Sequence, residues 1–124
     1  MRAISKWVVS SAAALVLAAG AVGAAGADTV SHDRLMQMIQ SAKTPADHEA
    51  IAAIYEQQAR ADRAAAENHQ SMARMYRGID PTGGGRGSGQ MAAHCKNIAE
   101  SYARAAEEHS ALAELHRKQA AEAH

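Results

Sequence analysis

The feature that most constrains the fold is a seven-residue repeat of alanine in two windows that lack glycine and proline. The alanine stripes are Ala52, Ala59, Ala66 and Ala73 in the first window, and Ala99, Ala106, Ala113 and Ala120 in the second. Larger polar residues repeat with the same period, and these polar stripes are His48, Tyr55, Asp62, His69 and Tyr76, then Cys95, Tyr102, His109 and His116. Two sets that alternate at spacings of four and three are typical of a helix packed along another helix.

The two windows are predicted to fold back on each other as an antiparallel hairpin. In such a hairpin, the residue numbers of two facing residues add up to the same value for every pair. The two alanine stripes pair residue by residue at a sum of 172, and the polar stripes pair at a sum of 171. The midpoint falls in the glycine run at 83–89. The expected polar layers are Tyr76 with Cys95, His69 with Tyr102, Asp62 with His109, and Tyr55 with His116.

Capping signals set the expected helix ends. Ser31 is placed to cap a first helix, and Thr44 followed by proline begins a second. Gly78 is a natural residue to end that helix, and Ser88 is placed to cap the next one. The predicted units are a short N-terminal helix within 28–43 and a hairpin over 44–124, made of helix 45–77, a glycine-rich turn 78–89 and helix 90–121.

The first 27 residues read as a cleaved export signal. Two positive charges precede an unbroken small and apolar run, and Ala25-Gly26-Ala27 fits the small-x-small cleavage pattern. A transmembrane anchor is the alternative, but the run is rich in alanine and glycine rather than leucine. We therefore expect a periplasmic protein with no stable membrane insertion after cleavage.

Composition limits what residues 28–124 can do. They hold 22 alanines but only 14 large aliphatic or methionine side chains, so a large self-sufficient core is excluded. The line along which the two helices touch is here called the seam. Aliphatic residues beside the seam would stay partly exposed in an isolated hairpin, and dimerisation into a four-helix bundle would cover them. Eleven basic residues against 13 acidic ones exclude a basic nucleic-acid footprint.

Motifs for catalysis are missing. His48-Glu49-Ala50-Ile51-Ala52 has alanine where a zinc-protease helix has its second histidine. The stripe histidines also lack the glutamate three residues earlier that di-iron bundles use. The expected function is noncatalytic: protein–protein or self-association contacts in the cell envelope, with an envelope protein as a further candidate partner.

A soft-metal protein is the competing hypothesis. Met75, Met91, His94 and Cys95 gather near the turn of the predicted hairpin, and thioether, imidazole and thiolate together favour Cu(I). Haem held without a covalent bond by a stripe histidine is a second form of this alternative. Covalent attachment of haem is excluded because the Cys-x-x-Cys-His motif is absent. A third possibility is a pH-responsive assembly, since a histidine stripe gains charge between about pH 5 and 7.

Overall fold

The computed structural model describes residues 30–79 and 87–123, and α-helix is the only regular secondary structure within these ranges. The helices are α1 (His32–Ser41), α2 (Pro45–Ile79) and α3 (Ser88–Glu122). The predicted signal segment 1–27 and most of the glycine-rich turn lie outside the described residues. Among the helices described, none combines the length and the hydropathy that a membrane-spanning segment needs.

Helices α2 and α3 pack against each other as an antiparallel pair. Each has 35 residues, which corresponds to a length of about 52 Å. The side chains buried between them confirm the alanine stripes and add one member at the turn end of α3. The buried alanines are Ala52, Ala59, Ala66 and Ala73 on α2, and Ala92, Ala99, Ala106, Ala113 and Ala120 on α3.

Helix α1 packs against α2 at the open end of the hairpin, away from the turn. Leu35 on α1 and Ile51 on α2 are the only residues other than alanine in the buried core of the described chain, with exposed fractions of 6% and 0%. The short helix therefore belongs to the part of the molecule where large side chains are buried, and the rest of the core consists of alanine methyl groups.

Side-chain caps start the first two helices as the sequence predicts. The Ser31 Oγ atom accepts a hydrogen bond from the Arg34 backbone N–H at 3.2 Å. Thr44 Oγ1 accepts from the Asp47 N–H at 3.2 Å, and Asp47 Oδ2 accepts from the backbone N–H groups of Thr44 and Lys43 at 2.9 Å each. This reciprocal pair is a capping box with aspartate as its acid. The bonds from Lys43 and Thr44 hold the pKa of Asp47 below its ordinary value.

Two predicted helix ends are wrong. Gly78 does not end α2, which continues through Ile79, because a glycine inside a helix costs only about 1 kcal/mol relative to alanine. Ser88 is not the cap of α3 but its first residue, and Gly87 precedes it with φ 94°. That left-handed conformation favours glycine. The Gly87 carbonyl accepts the first helical bond, from the Met91 N–H at 2.9 Å.

Candidate functional site

The polar stripes meet along the seam between α2 and α3. Asp62 Oδ2 lies 2.6 Å from His109 Nδ1, in a half-buried ion pair when the imidazole is protonated. The rings of Tyr55 and His116 stack with centroids 5.8 Å apart. Both contacts join residues that the constant sum of 171 places opposite each other, so these two predicted layers are confirmed.

Two further contacts connect neighbouring layers. His48 Nδ1 lies 3.1 Å from His116 Nδ1, and the Tyr55 ring also stacks on His109 with centroids 6.0 Å apart. These residues have numbers that sum to 164, one seven-residue step from the predicted register. A single constant sum misses them, because it assigns only one partner to each residue. The contacts form a continuous chain, here called the polar ladder, in the order His48, His116, Tyr55, His109, Asp62.

The seam continues toward the turn with His69 and Tyr102, whose rings stack at 5.8 Å with planes 14° apart. This is the third predicted layer that the structure confirms. The Nδ1 atom of His69 is buried and has no hydrogen-bond partner. Tyr76 and Cys95, the remaining predicted layer, are both half-buried, and their pairing stays a prediction.

The open end of the polar ladder disfavours positive charge. Burial lowers the pKa of His116 below its ordinary value of 6.5, and the neighbouring His48 lowers it further. The two rings lie with centroids 5.4 Å apart. Burial and the neighbouring imidazole therefore both disfavour the protonated form of His116.

One side of the seam, here called the polar flank, is crossed by charged and hydroxyl groups. Arg117 donates a hydrogen bond to the Glu56 carboxylate, and Arg63 donates to Ser110 Oγ at 2.7 Å. The bond from Arg117 lowers the pKa of Glu56 and raises that of the guanidinium. Each of these four residues directly follows a residue of a polar stripe. The opposite charges at 56 and 117 were a readable signal for this pairing, which the stripe analysis left out.

The other side of the seam, here called the apolar flank, has large hydrophobic side chains exposed to solvent. Four of its seven members directly precede a buried alanine of the seam, Ile79 follows Met72 by one seven-residue period, and two more residues lie beside them on the outer surface. The members and their exposed fractions are Met72 36%, Ile79 73%, Met91 48%, Ile98 41% and Leu112 37%, with Met75 69% and Leu115 57% outside them. A groove of about 430 Å³ runs along α3 here, lined in part by Ile98, Tyr102 and Ala105.

The four candidate metal ligands near the turn have unequal surroundings. Met75, Met91 and His94 are exposed, whereas Cys95 is half-buried on the seam. Successive residues of a helix diverge by about 100°, which accounts for the difference between His94 and Cys95. Within the described ranges, no three His, Cys, Asp or Glu side chains converge on a point that could hold a metal ion.

These contacts define the class of structure: an antiparallel helical hairpin with an alanine seam, a polar ladder, and two flanks of opposite character. Comparison with known proteins adds no relative, because no protein-family model, no curated protein and no solved structure matches the chain. The functional argument therefore rests on the surfaces and side chains described above.

Proposed function

We propose that this protein is an exported, noncatalytic helical hairpin that works through protein–protein contacts in the cell envelope, and that its apolar flank binds a second copy of the chain. The observation that carries the proposal is the asymmetry of the two flanks. Charged pairs such as Glu56 with Arg117 satisfy the polar flank within one chain. Among residues 30–79 and 87–123, none covers the apolar flank in this way along its length toward the turn.

The size of the apolar flank suits a dimer. From Met91 to Leu115 it extends about 36 Å along α3, at 1.5 Å per residue. Across two helices it is about 20 Å wide, so it presents on the order of 700 Å². Stable protein–protein interfaces bury about 800 Å² per partner. A second copy placed face to face would form a four-helix bundle, the arrangement in which paired amphipathic hairpins share one core.

The energy balance also favours association. The exposed fractions of the seven apolar-flank side chains are equivalent to about 3.6 fully exposed side chains. Full burial of one large apolar side chain contributes about 1.5–3 kcal/mol, so complete cover contributes on the order of 5–11 kcal/mol per chain. Two chains contribute twice that amount, against an association cost of about 4–15 kcal/mol.

A second copy fits this flank better than a charged partner does. The positions that directly precede alanine-stripe residues include Gln58, Ala65, Ala105 and Gln119 besides the hydrophobic residues, and none of these is ionisable. An uncharged strip meets its own copy without like-charge repulsion, which is the requirement for a two-fold symmetric interface.

The test is the solution mass of the protein after export. The full chain is expressed with its leader, purified from the periplasm of a bacterial host, and measured by intact mass spectrometry and light scattering. We expect a chain that begins at Asp28 and a particle of twice its mass. The double variant Ile98→Glu/Leu112→Glu should be monomeric and helical, while Ala103→Glu/Ala111→Glu, which adds the same charge at exposed positions off the flank, should stay dimeric.

Either of two results would overturn self-association. One is a monomeric wild-type protein at tens of micromolar, and the other is a flank variant that keeps the wild-type mass. A chain that retains residues 1–27 would contradict the export part of the proposal independently of the oligomeric state.

A further inference from the structure

Two histidines face each other across the open end of the hairpin. His48 lies in the first turns of α2 and His116 in the last turns of α3, and their Nδ1 atoms are 3.1 Å apart. Both side chains are half-buried. A hydrogen bond between two identical ring nitrogens places one proton between two lone pairs. A metal ion can take the place of that proton if the two rings turn so that their lone pairs converge on a point beside the line that joins the nitrogens.

The distance between the nitrogens fits a shared ion. Zinc binds histidine nitrogen at about 2.0–2.1 Å. At those distances, two nitrogens 3.1 Å apart subtend an angle of about 95–102° at the ion. That angle lies between the 90° of square-planar coordination and the tetrahedral angle of about 109°, the two geometries that zinc and its neighbours adopt with nitrogen ligands. A small opening of the pair reaches the tetrahedral value.

We propose that His48 and His116 together bind one divalent transition-metal ion, with Zn²⁺ as the representative, through their Nδ1 atoms. Imidazole is a ligand suited to Zn²⁺, Cu²⁺ and Ni²⁺. Since no third His, Cys, Asp or Glu side chain among the described residues joins the pair, two positions of the ion are open to water or to a small anionic ligand. The ion links the start of α2 to the end of α3, as the hydrogen bond does.

The neighbouring ring contacts favour this site over the other histidines. Tyr55 stacks on His116 at 5.8 Å and on His109 at 6.0 Å, so the His116 ring is packed between Tyr55 and His48. The Nδ1 atom of His109 is already paired with Asp62. His69 stacks on a tyrosine rather than on a second imidazole. Only the His48 and His116 pair brings two imidazole nitrogens within hydrogen-bond distance in the described part of the chain.

The experiment measures Zn²⁺ binding by calorimetry at pH 7.5. It uses the protein purified after export, with Cys95→Ser to remove the thiol. We expect one Zn²⁺ per chain, and an apparent unfolding equilibrium constant that falls about 100-fold when free Zn²⁺ is 100 times its dissociation constant. His48→Gln and His116→Gln should each abolish both effects. His94→Gln, an exposed histidine on the same α3 helix, is the matched control and should change neither.

The proposal would be overturned by an absence of binding at millimolar Zn²⁺, by binding that survives in His48→Gln or His116→Gln, or by one ion for every two chains. Circular dichroism establishes that each variant is folded. A measurement on the protein with both histidines intact guards against variants that do not fold, since X-ray absorption of the zinc-loaded protein should show two imidazoles at about 2.0–2.1 Å. One imidazole or sulfur in the first shell would also contradict the site. The oligomeric mass is not a readout here, so this test is independent of the proposed dimer.

Discussion

Replacing Ala106 with leucine tests whether the hairpin depends on close contact at the seam. Ala106 is 2% exposed and belongs to the buried α3 stripe that faces α2. Leucine adds three carbon atoms where a methyl group fills the available space, and overpacking of this kind costs about 1–3 kcal/mol. Alanine and leucine have similar helix propensities, so the cost comes from the helix contact rather than from the helix itself. Ala103→Leu, at an exposed position of α3, should change stability by less than about 0.5 kcal/mol.

The assay is urea unfolding followed at 222 nm, with every variant at the same protein concentration because the proposed dimer would make stability depend on concentration. Thermal unfolding provides a second readout, because a loss of 1 kcal/mol lowers the melting temperature by about 4–8 °C in a domain of this size. Ala106→Gly provides a second comparison: it should cost about 0.8 kcal/mol more than Ala103→Gly, since it removes one buried methyl group in addition to the propensity. An Ala106→Leu protein as stable as the wild type would refute alanine close packing.

Three other outcomes are expected. In the metal-free protein, the free energy of unfolding should be full above about pH 6.5 and fall below it, because the lowered pKa of His116 makes the unfolded chain the stronger proton binder. His116→Gln should reduce the difference in stability between melts at pH 5 and pH 7. An unchanged difference would contradict the role of His116 in this pH dependence. Thr44→Ala should cost about 1 kcal/mol by removing the Oγ1 cap of α2, measured by urea unfolding, whereas a change below 0.2 kcal/mol would refute the cap. Cys95→Ser/Met91→Leu should leave helix content and oligomeric mass unchanged; Cu(I) uptake by the wild type that this variant loses would instead support the soft-metal hypothesis.

The sequence predicted the seam well because its period is long and regular. Spacings of four and three repeated over about seven turns of each helix determine which helix face is buried. The constant sum correctly paired Asp62 with His109 and His69 with Tyr102. The ends of helices were less predictable. Whether Gly78 ends α2 or lies inside it is decided by a difference of about 1 kcal/mol, which a single residue type does not determine.

The site at the open end of the hairpin was not predictable from pairwise layers. A constant sum assigns one partner to each residue, but side chains on packed helices fill the space between two neighbouring layers. His116 therefore contacts both Tyr55 and His48, and the second contact creates the two-imidazole geometry. Finding it requires the direction and reach of each side chain, which the periodicity of the sequence does not contain.

The polar ladder explains how an alanine seam acquires one register. Alanine stripes with a seven-residue period present the same surface after a slip of one repeat, so their packing alone distinguishes poorly between registers. A slip would move Asp62 away from His109 and place it opposite Tyr102 or His116, and Arg117 would lose the Glu56 carboxylate. A half-buried carboxylate without its partner is costly. The polar residues on the seam thus specify the alignment, while the alanines allow the close approach, and neither role occupies the apolar flank that we propose binds a second chain.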